Sequence, residues 1–151
     1  MNSFEKKVID YTASCGHIGY IPLGGGTIAA LAGTLLYALI ADFFTAYLVI
    51  LISTAVIGVL ITKKAGEIYK QKDSPKIVID EFSASLLVFF MIPAEFKYLI
   101  IGFILFRIFD ITKPYPANKL DDSSSTFGVM GDDFVAAIYT NLILQAIKIF
   151  W

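Results

Sequence analysis

Three short stretches place ionisable side chains in otherwise apolar surroundings: "IVIDEF" (77–82) with Asp80 and Glu81, "FRIFDITKPYP" (106–116) with Arg107, Asp110 and Lys113, and "GVMGDD" (128–133) with Asp132 and Asp133. Such groups are costly within apolar helices and by default mark function. The spacing of three brings Arg107, Asp110 and Lys113 near one helix face, so they can converge on a common object. Carboxylate oxygens suit a hard cation such as Mg²⁺, which in turn binds phosphate oxygens, while Arg and Lys neutralise phosphate directly. Together the set suits a phosphorylated lipid. "PLGGGT" (22–27) adds a glycine-rich entry to a helix, a weak phosphate signal by itself.

Other chemistries lack their residues. A cysteine phosphatase needs an Arg six residues after its Cys, and the position that follows Cys15 at that distance is Ile21. His17 is the one histidine, too few for a two-histidine lipid phosphatase, and no DxDx[TV] motif occurs. Both Cys15 and His17 read as packing residues. With one cysteine there is no internal disulfide and no Cys/His zinc cluster. What remains is metal-assisted hydrolysis, in which Mg²⁺ polarises the phosphoryl group. Two plainer readings stand beside it: Arg107 and Asp110 as a self-neutralising ion pair, and Asp132 or Asp133, after Gly131, as a cap of the last helix.

The elements that must position these residues are membrane-like. The chain has 151 residues, 57% of them hydrophobic, and a mean hydropathy of +0.73, above the roughly 45–50% apolar content of soluble domains. A net charge of −1 without a basic patch excludes nucleic acid as a partner. The N-terminus lacks the continuous apolar core of a secretory signal and predicts a short amphipathic helix that stays attached. Five apolar segments follow, at 24–43, 44–62, 77–93, 96–111 and 134–151, the first two as a helical hairpin. Several are shorter than the about 20 residues that cross a bilayer, so tilting or partial insertion stays open. The reading is all-α: one membrane-embedded domain over 1–151, an integral helical bundle of about five hydrophobic helices. In "DSPKIVIDEF", Asp73 or Ser74 starts a helix with Pro75 in its first position, which puts Asp80 and Glu81 beyond the first turn.

Lysines set the topology, because short Lys/Arg-rich loops stay cytoplasmic. Lys6 and Lys7, then Lys63, Lys64, Lys70, Lys72 and Lys76, then Lys113 and Lys119 fall on one side, together with the acidic pairs. A site at the cytoplasmic membrane surface is implied. A small cation-binding or transport protein would also use Asp80, Asp110 and Asp133, but would have no need of Arg107 or Lys113. A structural subunit with buried ion pairs would need no turnover from its acids.

The three motifs, in this order and spacing, resemble phosphatidylglycerophosphatase A, from about Gly19 to the C-terminus. The resemblance implies a Mg²⁺-dependent, multi-pass enzyme of the bacterial inner membrane that converts phosphatidylglycerophosphate to phosphatidylglycerol and phosphate. It marks Asp80, Glu81, Arg107, Asp110, Lys113, Asp132 and Asp133 as functional. Asp80, Asp110 and Asp133 are expected in catalysis, and Asp80, Glu81, Asp132 and Asp133 as metal ligands. Within each acidic pair one member is expected to touch the metal, Asp80 and Asp133 being favoured, with Asp132 as the better helix cap. Arg107 and Lys113 are assigned to substrate phosphate. Where the family reads PGTxGS, this chain has Gly25-Gly26-Thr27-Ile28-Ala29-Ala30, so phosphate contact there rests on Thr27 and backbone N–H groups.

Overall fold

A computed structural model describes residues 1–71, 74–121 and 126–151, with backbone alone at 120–121 and 126–129. Lys72, the helix start at Asp73 and residues 122–125 of the polar connection lie outside the described residues. Seven α-helices and no strand occur among the described residues: α1 (Ser3–Ala13), α2 (Gly25–Ile40), α3 (Phe44–Tyr69), α4 (Ile79–Val88), α5 (Phe96–Thr112), α6 (Ala117–Asp121) and α7 (Thr126–Phe150), with a 3₁₀ turn at Ile18–Tyr20. The fold is all-α.

α1 opens on a capping box in which the Asn2 side chain accepts from Glu5 N and Asn2 N donates to Glu5 Oε2. Its Ile9 and Ala13 pack with Ala65, Ile77 and Ile79, while Phe4, Val8 and Tyr11 stay exposed. α3 and Met130–Phe150 of α7 are long and apolar enough to cross a bilayer. Val49, Ile52, Val56 and Leu60 of α3 face outward. The other apolar segments form helices of 16, 10 and 17 residues, short of the about 20 that a crossing takes. The predicted hairpin partners α2 and α3 do follow each other, but α2 packs chiefly on α4.

α4 is the centre. It packs against α2, α3, α5 and α7, and Gly33 lets α2 approach so closely that an added Cβ would sit 2.0 Å from Ser85 Oγ and 2.6 Å from Phe82 O. A ten-residue helix inside an apolar bundle leaves its last carbonyls without helical partners. Side chains supply them. Asn141 Nδ2 donates to Val88 O and Phe90 O, Gln145 Nε2 to Phe90 O, and Lys148 Nζ to Met91 O. Tyr47 donates to Leu86 O and Tyr37 to Ile92 O.

Two helix starts differ from expectation. α4 begins at Ile79, so Asp80 and Glu81 occupy its first turn. Residues 74–78 are held outside it by a tertiary bond, Val78 N to Ala13 O at 2.9 Å, which outweighs the local Pro75 signal. α7 begins at Thr126 and runs through Gly131, so Asp132 and Asp133 are interior helical residues and neither is a cap.

Candidate active site

Helix ends build the site. The starts of α2 and α4, the early turns of α7 and the end of α5 meet at one end of the bundle, carrying Gly26, Asp80 and Glu81, Asp133, and Arg107 respectively. Asp80, Glu81 and Asp133 each offer a carboxylate oxygen, and these oxygens lie within 4.8 Å of one another. Asp80 and Asp133 are buried. Adjacent helical residues diverge by about 100°, yet the longer Glu81 side chain still reaches the group that Asp80 enters directly.

Three acids this close repel one another when ionised, and burial removes the water that would screen them. A cation is the natural complement. Oxygens sharing one Mg²⁺ at about 2.0–2.1 Å stand at most about 4.2 Å apart, so small side-chain movements bring this set within reach of one ion. Glu81 Oε2 is buried without a hydrogen-bond partner among the described residues, an acceptor that a metal would satisfy. The residues fit the ion.

Gly26 is the seat of Glu81: a Cβ there would lie 2.2 Å from Glu81 Oε1. Beside it opens a cleft of roughly 740 Å³, lined by the loop from Gly19 to Thr27 and by Lys76, Glu81 and Arg107. The first turn of α2 borders this cleft, and its N–H groups have no partners within the helix. Thr27 is exposed on the same turn. At the rim Leu23 is fully exposed in the left-handed region, φ 58°.

The cations divide their tasks. Arg107 Nη1 donates to Asp110 Oδ2, while Arg107 Nε is buried and unpartnered. Lys113 ends α5 with φ 43°, leaving the helix face that Arg107 and Asp110 share, and its Nζ contacts Asp132 Oδ2 at 2.6 Å. Asp132 therefore turns to Lys113, whereas Asp133 joins Asp80 and Glu81. His17 is largely exposed and stands 3.5 Å from Asp10, and its ring packs edge-on against Tyr11 and Tyr20, a packing role at the surface. Cys15 donates weakly to Val78 O. Burial, then the nearby acids Asp80 and Glu81, push its thiol up to about 12.

The sequence pattern described as phosphatidylglycerophosphatase A matches residues 11–148, a span that contains Gly26, Asp80, Glu81, Arg107, Lys113, Asp132 and Asp133. The chain belongs to the phosphatidylglycerophosphatase A family. This is a family of enzymes. The protein named phosphatidylglycerophosphatase A from Haemophilus influenzae is 34% identical over 138 residues, covering 88% of this chain and 83% of its own. A protein of Bacteroides thetaiotaomicron, provisionally named phosphatidylinositol-3-phosphatase, is 30% identical, covering 86% and 87%. Phosphatidylglycerophosphatase A from Escherichia coli is 28% identical, covering 88% and 79%. No solved structure matches. The family motifs led to the acids and to Arg107; Lys76, which lines the cleft, went unmarked because it sits in a connection where lysines read as topology signals.

Proposed function

We propose that this member of the family hydrolyses the terminal phosphomonoester of phosphatidylglycerophosphate, with Mg²⁺, at the cytoplasmic face of a bacterial inner membrane that the chain crosses several times. The observation that carries the reading is the convergence of Asp80, Glu81 and Asp133 beside a cleft lined by Arg107 and a glycine-rich helix start. Family membership supports the reaction, and the apolar α3 and α7 support the membrane setting.

Asp80, Glu81 and Asp133 would hold the ion. When bound, Mg²⁺ supplies charge stabilisation to the phosphoryl oxygens and acidifies a coordinated water. The chain does the rest by positioning. The first turn of α2, with Thr27, cradles phosphate oxygens through backbone N–H groups. Arg107 neutralises developing charge on the phosphoryl group, its fork held in place by Asp110. Lys113, oriented by Asp132, adds a second positive charge at that side. Water oxygen bonds to phosphorus, the bond from phosphorus to the glycerol oxygen breaks, and the lipid alcohol leaves with a proton.

A cation-transport reading has less support: Arg107 and Lys76 line the cleft and would repel a passing cation. The deciding assay is phosphate release from phosphatidylglycerophosphate in detergent, expected with Mg²⁺ and abolished by chelation. Release that survives chelation would remove the metal from the proposal, and no release under any condition would remove the substrate.

A further inference from the structure

Outside the acid cluster, a second charged group is built with care. Lys76 Nζ lies 4.5 Å from the centroid of the Tyr20 ring and 5.4 Å from that of Tyr69, distances at which an aromatic face attracts a cation. Both rings are fixed at their hydroxyls, which donate to Asp10 Oδ1 at 2.5 and 2.6 Å. Burial works against the charge of Asp10, yet these two hydrogen bonds and the neighbouring His17 outweigh it and hold the carboxyl below its usual range. The backbone is fixed too: Lys76 O packs on Gly19, where an added Cβ would lie 2.1 Å away.

Neutral rings place this ammonium without cancelling its charge. Among the described residues Lys76 has no carboxylate within ion-pair distance. It lines the same cleft as Glu81 and Arg107, and all three are half-buried. The cleft thus holds two separate positive charges, Arg107 paired with Asp110 and Lys76 held by Tyr20 and Tyr69. Exposed Tyr20, Ile21 and Leu23 form an apolar rim on the side of Lys76.

A lipid headgroup with a terminal phosphomonoester and an internal phosphodiester has two anions in that order, the diester being the one attached to the acyl-bearing glycerol. We infer that Lys76 is a specificity-determining residue, which binds the internal phosphodiester of the substrate while the terminal phosphate lies at Arg107 and the acid cluster. This rests on the proposed lipid phosphatase activity and names what that site selects: a headgroup with two phosphates.

The test compares the purified full chain with Lys76→Gln and Lys76→Arg in detergent. With phosphatidylglycerophosphate, Lys76→Gln should raise KM about tenfold, the worth of one charge-assisted hydrogen bond, with kcat nearly unchanged. Phosphatidylglycerol, which retains the diester alone, should inhibit Lys76→Gln more weakly than wild type by a similar factor, while inhibition by inorganic phosphate stays the same. Lys76→Arg should restore most of the lost affinity. An unchanged KM in Lys76→Gln, a fall in kcat in its place, or equal weakening of both inhibitors overturns the assignment while leaving the phosphatase reading intact. A wild-type protein that releases no phosphate from this lipid overturns that reading, and this inference with it.

Discussion

Asp80 and Asp133 are buried carboxylates with oxygens within 4.8 Å of one of Glu81, and the hard cation proposed there would need their charge more than their shape. Asp80→Asn and Asp133→Asn keep volume and remove that charge, so phosphate release should fall at least about a hundredfold while circular dichroism stays helical, the scale on which groups around metal sites act. Asp80→Asn with near-normal release and unchanged Mg²⁺ dependence would contradict the site. Gly26→Ala is a sharper probe because it touches no charge. Its methyl would meet Glu81 Oε1 at 2.2 Å, and the flexible end of Glu81 yields more cheaply than backbone would. Folding should survive, with activity down about tenfold or more, since displacement of a catalytic group by about 1 Å can cost 10²-fold. Normal activity in Gly26→Ala would mean that the position of Glu81 is immaterial. Asp132→Asn should reduce activity through Lys113, a consequence that the capping account of Asp132 lacks.

At the scale of elements, the short α4 explains why charged groups can be held at this depth: its first turn carries the acids, and its other end is tied to α7 and to Tyr37 and Tyr47. Asn141→Leu removes donors to Val88 O and Phe90 O. Phe90 O keeps its bond from Gln145 Nε2, but Val88 O is left buried and unpaired at a cost of about 1–3 kcal/mol, so thermal unfolding in detergent should shift to lower temperature, and an unshifted transition would refute the tie. What was legible in the sequence follows the range of the forces involved. The apolar periods and the acidic motifs are local, and they led to the helices and to Asp80, Glu81, Arg107 and Asp133. The starts of α4 and α7 were misread because Pro75 and Gly131 are strong local signals, overridden by Val78 N bonding Ala13 O and by the continuous packing of α7 on α4 and α5. Lys76 was illegible as a cleft residue, since its setting between Tyr20 and Tyr69 joins residues far apart in sequence.

The whole molecule adds direction. Lys63, Lys64, Lys70 and Lys76, with Lys113 and Lys119, lie at the end of the bundle that holds the acid cluster, whereas the turns near Asp42 and Glu95 lie at the other, and short lysine-rich segments tend to stay cytoplasmic. A substrate assembled on the inner leaflet would then meet the cleft without crossing the bilayer. This orientation is testable with an impermeant maleimide on intact cells. The labelling uses a Cys15→Ser background, which removes the one native thiol. Cysteines placed at Lys70 and Lys119, both exposed, should label only after the membrane is opened, and one placed at exposed Asp42 should label from outside. Labelling of Lys70→Cys or Lys119→Cys in unopened cells would put the acid cluster on the outer face, where the lysine distribution would have to be explained by phosphate binding alone.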